Sequence, residues 1–188
     1  FEPITMYVTL PNVLVVHPSV PANTLREFIA LLKANPTKYS FGSAGVGTSQ
    51  HISGELFNSM AGVKMQHIPY RGSGPMIPEL LGGTLLVAVD NITTVIQHIK
   101  AGKLRALAVT TAQRSSVAPD VPTMAGSGLT GYELSSWQAV FAPAGTPKPI
   151  VDRLYTEIGK ILKMPDVVKR LNDLGLDISG MPPAELAA

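Results

Sequence analysis

The sequence predicts an α/β fold with a largely parallel sheet, and three observations carry that prediction. Between Leu10 and Val109, short apolar runs rich in β-branched residues alternate with amphipathic runs at helical spacing, four times in succession. The period changes at glycine, proline or asparagine, the residues that punctuate elements. Hydrophobic residues make up 45% of the 188 positions and charged residues only 15%, so a substantial core can form.

Each element follows from its own residues. Leu10 to Val16 is an apolar run among the prolines at 11 and 18, which reads as a buried strand. Thr24 can cap a helix whose apolar face is Leu25, Phe28, Ile29 and Leu32, and Asn35-Pro36 ends it. A strand over Tyr39–Gly42 leads into a glycine-rich turn and a helix that continues to Met60, closed by Ala61-Gly62. Val63–Pro69 alternates like a strand. The segment Tyr70-Arg71-Gly72-Ser73-Gly74-Pro75 opens a short helix through Leu81, broken by Gly82-Gly83. Leu85–Val89 is a buried strand ending in Asp90-Asn91. A helix to Lys100 follows, then a strand over Leu104–Val109. Residues 111–131, rich in Ser, Ala, Pro and Gly, read as a connector. Tyr132–Pro143 is strand-like and carries Trp137, read as a packing residue between lobes. Pro147 starts a long helix with Ile150, Leu154, Ile158 and Ile161 on one face. Pro165 starts another, with Val168, Leu171 and Leu174 inward.

Composition excludes several functions. A net charge of +2 with no basic cluster argues against nucleic acid. The longest apolar runs, about seven residues, fall far short of the roughly 20 that a membrane span needs. The absence of cysteine removes disulfides, thiolate catalysis and cysteine-based zinc sites. The four histidines, at 17, 51, 67 and 98, lack the His-x-x-x-His spacing of a metal site, and no cofactor is expected. The chain opens on Phe1-Glu2-Pro3-Ile4 and stops inside a helix-like run ending at Ala188. Both ends read as cut from a longer protein.

In a parallel sheet, ligands bind outside the carboxyl ends of the strands. Three segments are predicted to meet there: the turn over 42–48, the loop over 70–75, and Asp90-Asn91. The turn Gly42-Ser43-Ala44-Gly45-Val46-Gly47-Thr48 joins a strand to a helix N-terminus, which points free N–H groups at one spot. It resembles the start of a phosphate-binding P-loop, but Thr48-Ser49 stand where that motif needs lysine, and the dinucleotide fingerprint fails at Gln50. A neutral cradle of N–H groups with the hydroxyls of Ser43, Thr48 and Ser49 remains, suited to a carboxylate. The alternative is a plain strand-to-helix turn. Tyr70-Arg71-Gly72 offers a phenol, a guanidinium and another helix start, and Arg71 is a candidate bidentate carboxylate partner or simply an exposed arginine. Asp90 either orients a polar group of a ligand or caps the following helix. Ser43, His51 and Asp90 have the residue types of a hydrolytic triad, but no nucleophile elbow holds the serine.

Further residues carry a family resemblance: Tyr70-Arg71-Gly72-Ser73-Gly74-Pro75, Asp90-Asn91, His98-Ile99-Lys100-Ala101-Gly102-Lys103-Leu104-Arg105-Ala106-Leu107-Ala108-Val109-Thr110, Pro119-Asp120-Val121-Pro122-Thr123, Gly131-Tyr132-Glu133, Ser136-Trp137 and Phe141-Ala142-Pro143-Ala144-Gly145-Thr146-Pro147. Together, and in this order, they resemble the Bug family, the periplasmic solute receptors of tripartite tricarboxylate transporters. The resemblance implies a two-lobed periplasmic-binding-protein type II-like (Venus flytrap) fold and no enzymatic activity. It implies capture of a small organic carboxylate (a di- or tricarboxylate, an acidic amino acid or an aromatic acid) for delivery to a membrane transporter. Carried over residue by residue, the ligand contacts are Ser43, Ala44, Gly45, Thr48, Tyr70, Arg71, Gly72 and Asp90. Residues 5–113 would be a nearly complete second lobe, 114–131 a connector, and 132–188 a partial return into the first lobe. The Pro-Pro-Gly-Gly-type loop with which the family's first lobe completes the carboxylate clamp is absent from this sequence. An apolar half-lobe left without its remainder is expected to pair or exchange segments between copies, and a clean monomer by light scattering would count against this. Two other readings stand beside the receptor: a small serine hydrolase using Ser43, and the ligand-sensing domain of a regulator.

Overall fold

The computed structural model describes residues 1–187. They divide into two units. The larger runs from Pro11 to Ser136, and the smaller joins Phe1–Leu10 to the chain from Trp137 onward. The last position of the helix-like run at the C-terminus, Ala188, lies outside the described residues.

The larger unit takes in the second half of β1 (Glu2–Val16), then α1 (Leu25–Ala34), β2 (Ser40–Ser43), α2 (Ser49–Ala61), β3 (Gln66–Pro69), α3 (Ser73–Gly82), β4 (Val87–Asn91), α4 (Ile92–Lys100) and β5 (Arg105–Val109). Its sheet has the order β3-β2-β4-β1-β5. β2 pairs parallel with β3 and with β4, whereas β1 lies antiparallel between β4 and β5. β2 to β5 therefore all point one way, as strand–helix alternation predicts. The sheet is nevertheless mixed rather than largely parallel in its ladders, because β1 is inserted against that direction. Apolar alternation has no sense of direction, so a strand entering at the opposite edge cannot be told from its neighbours by pattern. β1 also starts earlier than Leu10, at Glu2. Its first half pairs with β7 (Asp177–Met181) as far as Thr9, and its second half pairs with β4 from Asn12. Pro11, with no N–H to donate, sits at the change of partner.

Successive residues of β1 supply opposite faces. Leu14 and Val16 join Phe28, Phe41, Phe57, Val87 and Val89 on one side of the sheet. Val13 and Val15 join Met76, Leu80, Val95, Ile96 and Val109 on the other. Residues 111–131 hold a single 3-10 turn, Ala125–Ser127, and send Met124 and Leu129 into the first of these cores. Helix starts follow their caps. Thr24 Oγ1 accepts from Glu27 N at 3.1 Å while Glu27 Oε2 accepts from Asn23 N at 2.7 Å, and Thr48 Oγ1 accepts from His51 N at 3.3 Å. The end of α2 is a left-handed Gly62 with φ 64°.

The smaller unit contains the first half of β1, β6 (Ser135–Ala142), α5 (Lys148–Ile161), α6 (Pro165–Asp173), β7 and α7 (Pro183–Leu186). Tyr7 donates its hydroxyl to Gln138 Oε1 at 2.6 Å, and Thr5 Oγ1 donates to Met181 O at 2.8 Å. α5 buries Val151, with Tyr155 and Ile158, against Ile4 and Ala142. Of the face expected inward, only Ile158 packs there, while Ile150, Leu154 and Ile161 form a second, exposed stripe. On α6, Leu171 packs beside Val8 and Leu10, and Leu174 is exposed. Trp137, read as a packing residue, is 56% exposed. Among the described residues, no helix is long and apolar enough to cross a membrane.

Candidate functional site

Because β2 to β5 are co-directional, their carboxyl ends share one edge of the larger unit's sheet, and the segments expected to converge there do so. Tyr70 N donates to Ser43 O at 3.0 Å and Gly72 N to Ala44 O at 2.9 Å, which stitches the loop after β3 to the turn after β2. Asp90 joins the loop after β3 to the end of β4. Its Oδ1 accepts from Ser73 Oγ at 2.7 Å and from Asn91 N at 2.8 Å, and its Oδ2 accepts from Thr94 Oγ1 at 2.8 Å. One buried carboxylate thus ties together the first turns of α3 and α4. Burial raises its pKa above the ordinary carboxylate value, against the pull of these hydrogen bonds.

The turn itself is rigidly built. Gly45 and Gly47 have φ of 144° and 80°, conformations that favour glycine. Ser43 is fully buried. Its Oγ accepts from Gly45 N at 3.2 Å, lies 3.2 Å from Gly45 O, and meets His67 Nε2 at 2.6 Å. Thr48 Oγ1 donates to Gly45 O at 2.7 Å besides capping α2. Gly47 N donates to His51 Nδ1 at 3.1 Å. The His51 and His67 rings stack with centroids 3.9 Å apart, and Phe41 stacks on the far face of the arrangement, 5.0 Å from His67.

This geometry reassigns several expected groups. The Ser43 and Thr48 hydroxyls shape the turn rather than standing free as the hydroxyls of a cradle, and Ser49 Oγ donates to Ser136 Oγ at 2.9 Å. The Gly45 and Gly72 N–H groups are spent on loop bonds. Helix geometry leaves the N–H groups of Ser49 and Gln50 without i−4 partners at the mouth of α2, and of Gly74 at the mouth of α3. Ala44 is partly exposed and Arg71 exposed beside them. Tyr70 donates its hydroxyl to Glu79 Oε2 at 2.6 Å, and burial together with that carboxylate pushes its pKa up to about 12. Its phenol therefore faces α3. The cap of α4 is Asn91, whose side chain makes no capping bond, and Asp90 serves that end from one residue earlier.

The triad residue types do not assemble. Ser43 meets His67 instead of His51, Asp90 touches neither histidine ring in its hydrogen bonds, and the serine has no exposed surface for a substrate. Among the described residues, no group of three or more His, Asp or Glu side chains could hold a metal ion. His67, Ser73, Thr94 and Gln50 are the residues that sequence reading passed over. Only the register Ser40↔Gln66, Phe41↔His67 brings His67 to the turn, and no local motif announces it.

The family model described as the tripartite tricarboxylate transporter family receptor matches residues 1–187. The chain belongs to that family. It is a family of receptors, not of enzymes. The UPF0065 protein in the tcbD-tcbE intergenic region of Pseudomonas sp. (strain P51) is 44% identical over 192 residues, covering 100% of this chain and 56% of that protein. R. palustris Rpa4515 with adipate superposes with a TM-score of 0.95 at 34% identity, over 100% of this chain and 62% of that one. MatC from Rhodopseudomonas palustris with bound malate gives 0.92 at 30% identity, over 100% and 65%. The family fold, α/β and periplasmic-binding-protein type II-like, therefore extends over the whole chain, which spans little more than half of that curated relative.

Proposed function

We propose that this chain is the carboxylate-binding part of an extracytoplasmic solute receptor, which captures a small organic acid and presents it to a tripartite tricarboxylate-type membrane transporter. The observation that carries the reading is the stitched sheet edge, where the turn after β2 and the loop after β3 are locked together and the mouths of α2 and α3 open beside them. Donors fixed before the ligand arrives lose little entropy on binding, and a helix N-terminus favours an anion. Ala44 and the first turn of α2 would supply the amides, with Arg71 as the mobile cationic partner. Ser43, Gly45, Thr48, Tyr70, Gly72 and Asp90 act by holding these donors in place. Adipate in Rpa4515 and malate in MatC are both dicarboxylates, which favours a dicarboxylate here. The receptor would work in the periplasm.

The test is an amide chemical-shift titration of the chain with malate and with adipate, a method that detects even weak binding. Saturable shifts are expected at Ala44, Ser49, Gln50 and Arg71, and Arg71→Ala should weaken binding about tenfold or more, the scale of one charge-assisted contact. Absence of shifts at these amides with every organic acid tried would overturn the reading.

A further inference from the structure

Two histidines outside the expected contact set hold the turn. We propose that His51 and His67 are positioning residues of the 43–48 turn, and that His51 holds the turn in its binding shape only while its ring is neutral, so that the site loses its carboxylate on acidification. This rests on the carboxylate reading above.

The hydrogen bonds decide the direction. Gly47 N donates to His51 Nδ1, so that nitrogen must carry no proton. A proton placed there sets two N–H groups against each other and frees Gly47. Gly47 is exposed, has φ 80°, and has no neighbour within 4 Å of the position a Cβ would take, so little else holds it. His67 is bonded through Nε2 to Ser43 Oγ. Protonating His67 leaves that contact possible, with the ring donating and the Ser43 hydroxyl turning to Gly45 O. The breakable bond is therefore the one at His51.

The surroundings disfavour a proton on His67. α2 packs on β2, β3 and β4. The titratable side chains of these four elements are His51, Glu55, His67 and Asp90, with Lys64 in the α2–β3 connection. Glu55 lies 4.0 Å from His51 Nε2. Asp90 is occupied by Ser73, Thr94 and Asn91. Rings stacked at 3.9 Å cannot easily both be cationic. His67 is held below the ordinary histidine pKa, first by burial and then by His51, with Glu55 opposing. A base with a depressed pKa contributes its native interactions fully above the ordinary value of 6.5 and loses them as pH falls below it, so acid opposes the packed histidine pair through His67.

The experiment is a pH titration of the labelled chain from about pH 8 to about pH 5.5, the range over which histidine changes charge. It follows the Gly47 amide, the two imidazoles and malate affinity together, in the wild type and in His51→Asn. Asparagine places a non-titrating acceptor near the position of Nδ1. In the wild type, the Gly47 amide should move and exchange faster with the His51 titration, and malate affinity should fall about tenfold, the scale of one lost hydrogen bond. In His51→Asn, the ratio of affinities at the two pH limits should approach one, whatever the absolute affinity. Identical pH profiles in the two proteins, or a Gly47 amide indifferent to the His51 titration, overturn the proposal. A Gly47 amide that follows His51 in a chain that binds no carboxylate at any pH sinks the carboxylate reading and leaves histidine control of the turn standing.

Discussion

Asp90→Ala is expected to lower stability by about 3 kcal/mol and to uncouple the sheet edge. The wild-type carboxylate has no exposed surface and satisfies Ser73 Oγ, Thr94 Oγ1 and Asn91 N, with Gln50 beside it. Alanine leaves these donors without their acceptor, and a hydrogen bond to a charged group is worth about 1.5–3 kcal/mol. Removing a buried charge returns part of that loss, which is why the sum of the bonds overstates the effect. The mouths of α3 and α4 should also loosen relative to one another, because Ser73 and Thr94 reach the same carboxylate. The check is the denaturant midpoint, together with hydrogen exchange at Gly74 and Asn91. A midpoint within about 0.5 kcal/mol of wild type would show that the carboxylate is not a tie.

The same residue has a pH signature. Its pKa is raised in the folded chain, mainly by burial. Such a group contributes most below its ordinary value of 3.8 and loses that contribution as pH climbs through the raised folded value. The stability difference between wild type and Asp90→Asn should therefore shift against the wild type as pH rises through this acidic window. It should be flat above it. His67, held below its ordinary value of 6.5, acts in the opposite sense, losing its contribution as pH falls, so the two effects are separable by the sign of their pH dependence.

How far the sequence carries this account varies from residue to residue. Glycine and asparagine breaks between apolar runs placed nearly every element of the larger unit, and the co-directional β2–β5 follow from strand–helix alternation. The meeting of the 42–48 turn, the 70–75 loop and Asp90 followed from the rule that such strands end on one edge. Two things had no sequence signal. The direction of β1 depends on the edge at which it enters the sheet, and alternation is silent about that. The role of His67 depends on a pairing register with a strand 24 residues away, which puts its ring against Ser43 Oγ. On α5, the periodicity pointed to Ile150, Leu154, Ile158 and Ile161, whereas packing against Ile4 selects Val151, Tyr155 and Ile158.

Gly54→Ala is the second large effect expected, and it runs against helix propensity. On an exposed helix, alanine would stabilise by about 1 kcal/mol over glycine. At position 54 in α2, an added Cβ would stand 2.1 Å from Phe41 Cε2 and 2.5 Å from Phe41 Cζ, closer than atoms can approach. Phe41 is fully buried among Phe28, Phe57 and Val87, so its ring has no free volume to enter. Overpacking of this kind costs about 1–3 kcal/mol, and a collision with a rigid aromatic ring belongs at the upper end. The net change should be a loss of about 2 kcal/mol. The consequence also reaches the site. If the helix yields, the mouth of α2 moves off β2 and carries Thr48 and His51 with it. If the ring yields, it pushes on His67, stacked 5.0 Å away, and through it on Ser43. Either way, Gly54→Ala should weaken malate binding as well as unfold more readily. Trimming the ring with Phe41→Leu in the same chain should recover part of both losses, as a double-mutant cycle between contacting residues requires. A stable, fully binding Gly54→Ala would mean that α2 can shift freely over β2, and the rigid seating of the turn would have to be abandoned.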